Sequence, residues 1–168
     1  LQVKQGMSIG QARIHTSDEA RALARRRLPR LVFDYIDGAA GKEHAAARNL
    51  KALDARQLMP RVLAPAEQCS LGQTFLGQAL GLPFGIAPMG MCNLVWPQAD
   101  RMLAQASARY NIPLCLSSAA STSIEDMAAM NPSRTWFQLY VSQSPESALK
   151  LVDRAADSAY DTLVFTVD

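Results

Sequence analysis

The chain has 168 residues, 49% hydrophobic and 19% charged, with a formal net charge of +2. This is the composition of a globular domain able to build a core, and so slight a charge excess gives no argument for nucleic acid, which is not expected as a partner. Three cysteines with no C-x-x-C spacing argue against a disulfide framework or a zinc site and fit a reduced, intracellular compartment, and two histidines remote from other ligand types argue against a metal site.

Residues 1–16 are polar and mixed and read as a flexible leader rather than a signal peptide, and no later apolar run approaches the ~20 residues of a membrane-spanning helix. Ser17-Asp18-Glu19 opens a first helix that runs to about Leu28, with the serine as a cap and two acids in the first turn. The basic run Arg25-Arg26-Arg27, with Arg30 nearby, reads as a solvated helix face. After Pro29, the residues Leu31, Val32, Tyr35 and Ile36 recur at helical spacing, and Gly38-Ala39-Ala40-Gly41 ends that helix. A third helix is expected over Glu43 to Leu53.

Beyond this helical entry segment the pattern changes. Gln73-Thr74-Phe75-Leu76 and Ala79-Leu80, about Gly77, predict a hairpin. Four short apolar strands follow, over residues 84–87, 113–116, 135–140 and 162–167. Helical patterns separate them: Pro97 to Tyr110, Ser123 to Met130, and a third opened by Ser144-Pro145-Glu146 and running to about Asp157. At the second of these helices, Thr122-Ser123-Ile124-Glu125-Asp126 offers capping-box pairings such as Thr122 with Glu125. Alternating strand and helix implies parallel strands with crossover helices. The repeat of about 22 to 29 residues is a compact form of the ~31 per unit of a (β/α)8 barrel. A doubly wound sheet gives the same alternation. The first strand, however, ends Ala87-Pro88-Met89-Gly90-Met91-Cys92, without the G-x-G-x-x-G turn of a dinucleotide fold. The expected class is therefore α/β: about the first four βα units of a (β/α)8 TIM barrel after an N-terminal helical segment, with residues 17–168 as part of one domain.

In a parallel barrel, chemistry gathers where the strands end. Those ends carry Pro88-Met89-Gly90, then Ser117-Ser118, then Gln138 and Tyr140, then Thr166 and Asp168. Gln138 and Tyr140 stand two apart, hence on one side of their strand. Each residue alone is explained as well by a turn, a cap or a satisfied core polar group. Together they form a ring of hydroxyls, an amide and exposed backbone that suits a neutral, planar, heteroatom-rich ligand better than a bare phosphate.

Several stretches then combine: Leu28-Pro29-Arg30-Leu31-Val32-Phe33-Asp34-Tyr35, Pro83-Phe84-Gly85-Ile86-Ala87-Pro88-Met89-Gly90, Leu116-Ser117-Ser118 with Ser123-Ile124-Glu125-Asp126, Trp136-Phe137-Gln138-Leu139-Tyr140, and Thr166-Val167-Asp168. In this order and spacing the chain resembles the FMN-dependent α-hydroxy-acid dehydrogenase and oxidase family, which includes lactate dehydrogenase, mandelate dehydrogenase and glycolate oxidase. The resemblance implies oxidation of an (S)-2-hydroxy acid to a 2-oxo acid with transfer of the α-hydrogen to flavin N5. It implies that the backbone of Ala87, Pro88, Met89 and Gly90 packs on FMN, and that Ser117, Gln138 and Thr166 hydrogen-bond its ring. Tyr35, otherwise a core tyrosine of an amphipathic helix, is expected at the substrate carboxylate. Tyr140 is expected at the substrate, and Asp168 as the partner of a catalytic histidine.

Gly90 resembles the dehydrogenase-like members, and Ala119, where glycolate oxidases carry a bulky aromatic, implies a roomier substrate pocket. The resemblance places the base histidine, the substrate-binding arginines and the phosphate loops after Asp168. The expectation is therefore an incomplete barrel, with a hydrophobic edge and no activity by itself. It also implies a homotetramer and a cytoplasmic location, or a peripheral one at the inner membrane through a segment after Asp168. Two other readings remain: another FMN-binding barrel such as a type 2 isomerase of isopentenyl diphosphate, against which Tyr35 and the Tyr140/Asp168 pair argue, and a non-catalytic half-barrel used for binding or assembly.

Overall fold

The computed structural model describes residues 14–63, 69–131, 135–141 and 144–167. The chain divides into two compact units, Leu1–Arg61 and Val62–Asp168. The first contains three helices: α1 (Ser17–Arg27), α2 (Arg30–Asp37) and α3 (His44–Asp54). Thr16, not Ser17, caps α1: its side chain accepts from the Glu19 amide at 3.2 Å, and Glu19 reaches back to the His15 amide at 2.7 Å. The cap thus stands one residue earlier than the sequence suggested, and Glu19 closes the turn on the residue before it. Arg21 holds Asp37 through two hydrogen bonds of 2.5 and 2.8 Å, tying α1 to the end of α2. The guanidinium draws the Asp37 carboxyl below its ordinary range. Pro29 precedes α2, and Glu43, in the left-handed region at φ 60°, precedes α3.

The second unit opens with a hairpin, β1 (Gln73–Phe75) and β2 (Gln78–Leu80), paired antiparallel about a turn in which Leu76 and Gly77 both have positive φ. A four-residue helix, α4 (Cys92–Val95), which the sequence did not suggest, precedes α5 (Ala99–Tyr110). Then β3 (Leu114–Ser117), α6 (Ile124–Met130), β4 (Thr135–Tyr140), α7 (Pro145–Asp157) and β5 (Leu163–Thr166) alternate. The strands form one parallel sheet in the order β3-β4-β5, each crossover made by a helix. This is the strand–helix repeat of a partial (β/α)8 barrel.

The expected first strand over residues 84–87 is reduced to a single parallel bridge between Ile86 and Leu114. Ile86 donates to Pro113 O at 2.8 Å and accepts from Cys115 N at 2.9 Å, but Pro83 and Pro88 flank it without N–H groups, so the ladder stops there. Gly85 is needed at this crossing: a Cβ there would stand 2.6 Å from Pro113 Cγ and 2.8 Å from its carbonyl oxygen.

The core lies between the sheet and its crossover helices. Leu114 and Leu116 of β3 and Phe137 and Leu139 of β4 point to one face, against Ala104 of α5, Met127 of α6 and Ala148 and Ala155 of α7. Tyr160 closes this layer edge-on to Phe137, its hydroxyl donating to Ile124 O at 2.9 Å. Alternation sends the intervening side chains, Cys115, Ser117, Trp136, Gln138, Tyr140, Val164 and Thr166, to the opposite face.

Candidate functional site

That opposite face is graded along the strands. Cys115, Trp136 and Val164 form an apolar stretch beside a cavity of about 500 Å³ that Phe75, Ala87 and Pro88 also line. Phe75 of the hairpin lies against Trp136, ring centroids 5.8 Å apart. One step towards the carboxyl ends the face becomes polar. The Ser117 hydroxyl donates to Gln138 Oε1 at 2.8 Å, and Gln138 Nε2 donates to Thr166 Oγ1 at 2.6 Å. Three neighbouring strand ends are thus joined by one side-chain chain. The register makes it: Ser117 pairs with Gln138, while Gln138 pairs with Val164 and its longer side chain reaches forward to Thr166.

Ser117 and Gln138 are buried, at 5% and 2% exposure, so the chain is pre-ordered rather than hydrated. Ser117 Oγ also accepts from the Ala119 amide at 3.1 Å. This arrangement uses the serine hydrogen and leaves one amide hydrogen of Gln138 and the hydroxyl hydrogen of Thr166 for a ligand. The donor set fits the carbonyl and ring-nitrogen acceptors of a flavin, and contains nothing that would select a bare anion.

The turn after Ile86 stands beside this chain. Ala87, Met89 and Ser117 line one narrow void, and Met91 N donates to Ala119 O at 3.1 Å. A Cβ on Gly90 would meet Ala119 Cβ at 3.3 Å and its carbonyl oxygen at 3.4 Å, so glycine allows the turn and the segment after β3 to approach closely. Met91 itself is left-handed at φ 53°. Behind the turn Asp100, 4% exposed, accepts from the Thr122 hydroxyl at 2.8 Å, and its amide donates to Asn93 Oδ1 at 3.2 Å. This buried carboxylate fixes α4 against α5 and the start of α6. Sequence reading missed it, because an acid in the first turn of a helix looks like ordinary dipole matching.

Ala87, Pro88, Met89, Gly90, Ser117, Gln138, Thr166 and Tyr140 therefore all belong to one sheet face and its bordering turn. Tyr140 is 48% exposed and its hydroxyl makes no hydrogen bond among the described residues. Tyr35 lies on α2 in the first unit, 56% exposed. Asp168 lies outside the described residues. The cysteines near the site are poor nucleophiles. Burial pushes the Cys115 thiol up to about 11, and burial followed by the nearby Asp100 raises Cys92.

The geometry defines a class: a parallel βα barrel segment whose strand ends carry a largely buried hydrogen-bonding chain, Ser117–Gln138–Thr166, beside a tight backbone turn. The family model "FMN-dependent dehydrogenase" matches residues 24–168, and the chain belongs to that family. It is 37% identical over 155 residues to an L-lactate dehydrogenase of Pseudomonas syringae, covering 92% of this chain and 41% of that protein. It is 36% identical over 151 residues to the (S)-mandelate dehydrogenase of Pseudomonas putida, covering 90% of this chain and 38% of that protein. A soluble mutant of the membrane-associated mandelate dehydrogenase from P. putida superposes with a TM-score of 0.85 at 36% identity, over 90% of this chain and 43% of that one. The chain thus spans about two fifths of the length of the curated relatives it matches.

Proposed function

We propose that the protein to which this chain belongs is an FMN-dependent dehydrogenase that oxidises an (S)-2-hydroxy acid to the 2-oxo acid. The observation that carries this reading is the buried Ser117–Gln138–Thr166 chain beside the Pro88–Gly90 turn. Ser117, Gln138 and Thr166 would hydrogen-bond the flavin ring, and the backbone of Ala87, Pro88, Met89 and Gly90 would pack on it. When bound, FMN accepts the substrate's α-hydrogen and its electrons.

The chain's own side chains bind and orient. Tyr140 presents a phenol to the substrate oxygens. Tyr35 serves the substrate carboxylate. Asp168, as a carboxylate beside a histidine from outside these 168 residues, fixes that imidazole's tautomer and stabilises it once it has taken the hydroxyl proton. Gly90 favours a dehydrogenase over an oxidase, and Ala119 leaves room for an aryl or other bulky substrate, as the likeness to mandelate dehydrogenase suggests. A homotetramer in the cytoplasm, or a peripheral association with the inner membrane, completes the proposal; among the described residues no helix is long and apolar enough to cross a membrane.

The test is optical. The purified protein should carry flavin absorbance that bleaches when (S)-lactate or (S)-mandelate is added without oxygen. Bound flavin that no 2-hydroxy acid bleaches would refute the activity, and a protein that takes up no FMN would refute the cofactor assignment.

A further inference from the structure

We infer that Ser118 is a positioning residue that aims Tyr140 at the mouth of the site; the inference rests on the substrate-facing role proposed for Tyr140. Ser118 is the first residue past β3. Its amide still donates to Gln138 O at 2.9 Å, continuing the β3–β4 ladder. The backbone then leaves the sheet, because Ala120 N donates to Ser117 O at 3.0 Å and Ala119 N to Ser117 Oγ at 3.1 Å. In a parallel ladder the next bond would run from Tyr140 N to the Ser118 carbonyl. Here the Tyr140 amide donates instead to Ser118 Oγ at 3.2 Å. The hydroxyl replaces the carbonyl as the backbone departs.

The consequence falls on Tyr140. A strand residue points its N–H to one side only, and Ser118 Oγ is the acceptor on that side. With it β4 stays extended for one more residue, and Tyr140 remains in register with Thr166 of β5. The phenol has no hydrogen bond among the described residues, so the backbone, which this amide bond holds, is the restraint through which its starting direction is set. The bond is exposed, so water can replace it at little cost in stability. Its loss is therefore read in orientation rather than in folding. Serine suits the position because it is short enough to accept from the neighbouring strand; alanine offers no acceptor.

The experiment compares S118A, S118T, Y140F and S118A/Y140F in the FMN-loaded enzyme with a 2-hydroxy acid substrate. In S118A the Tyr140 amide should exchange with deuterium about tenfold faster, a local opening that needs no substrate to detect. S118A should lower kcat/KM about tenfold while the FMN dissociation constant moves less than about twofold. S118T should restore both the exchange rate and kcat/KM. In the Y140F background S118A should cost less than about twofold more, because the group it positions is already gone. Multiplying losses in the double variant, unchanged kcat/KM in S118A, or FMN binding that weakens in step with activity would overturn the positioning role while leaving Tyr140 in place. Unaltered kcat/KM in Y140F would overturn the reading of Tyr140 itself, and this inference with it.

Discussion

Gln138 is the residue on which the site turns. It is 2% exposed and satisfies Ser117 and Thr166 at once, so its removal orphans a donor and an acceptor on two neighbouring strands. Q138L keeps the volume but not the partners. We expect it to weaken FMN binding by about tenfold or more, with a smaller effect on thermal stability, measured by flavin fluorescence titration and a melt. Unchanged FMN affinity in Q138L would remove the chain from the cofactor site. Gly90 acts by absence. A methyl group there meets Ala119 at 3.3 Å, and Ala119 N is in turn bonded to Ser117 Oγ at 3.1 Å. G90A should therefore destabilise the turn by about 1 kcal/mol, and A119G should relieve part of that cost in the double variant. Strict additivity in denaturant titrations would show that the two positions do not press on one another. Period-two alternation was enough to place Gln138 and Tyr140 on one face. The bond from Gln138 to Thr166 was not legible, because it depends on the β4–β5 register, which the length and packing of the intervening α7 crossover set.

The elements follow their local chemistry where that chemistry is unambiguous. The run 135–140 became β4 with the boundaries its composition suggested, and Ser144 caps α7 with Pro145 in the first turn. Residues 84–87 had the apolar content of a strand but lay between two prolines, and the ladder reduced them to a bridge. The start of α6 misled for another reason: two hydroxyls stand side by side there. Ser123, not Thr122, caps the helix, accepting from Asp126 N at 3.1 Å, while Thr122 binds the buried Asp100. That leaves Glu125 free to pair with Arg154 of α7 through two hydrogen bonds of 2.8 Å, which link consecutive crossover helices. The guanidinium holds the Glu125 carboxyl at about 2, against an ordinary value of 4.5. A carboxylate whose pKa is lower in the folded state contributes stability above its unfolded pKa, and that contribution disappears as pH falls through the folded value. E125Q should thus melt slightly below the parent at pH 7, the gap narrowing between pH 4.5 and about 2 and closing below that. Both side chains are about half exposed, so the gap should also shrink in high salt. A gap that persists at the lowest pH would show that the variant acts through something other than this pair.

At the scale of the molecule, the sheet of the second unit has an unbalanced edge. β4 is flanked on both sides and its apolar face is packed under helices, with Phe137 1% and Leu139 4% exposed. β5 is paired to β4 alone among the described residues, in a register that sets Leu163 beside Phe137 and Phe165 beside Leu139. Leu163 and Phe165 therefore point to the same helix-packed side, yet they are 48% and 53% exposed, and Val167 is 83% exposed. A short apolar strand with one partner is a template for pairing with another chain, and its uncovered side chains favour association in the same direction. The 168-residue polypeptide studied alone should bind a hydrophobic dye such as ANS and self-associate as its concentration rises, both visible by size-exclusion chromatography with light scattering and by fluorescence. Charging the edge with L163K and F165K should suppress the association while leaving the β3–β4 ladder in place, since neither side chain belongs to the packed core of those strands. A monodisperse monomer with one cooperative melt and no dye binding would mean that this face is stable in water as it stands. The catalytic reading would then have to accommodate a sheet that needs no further strand beside β5.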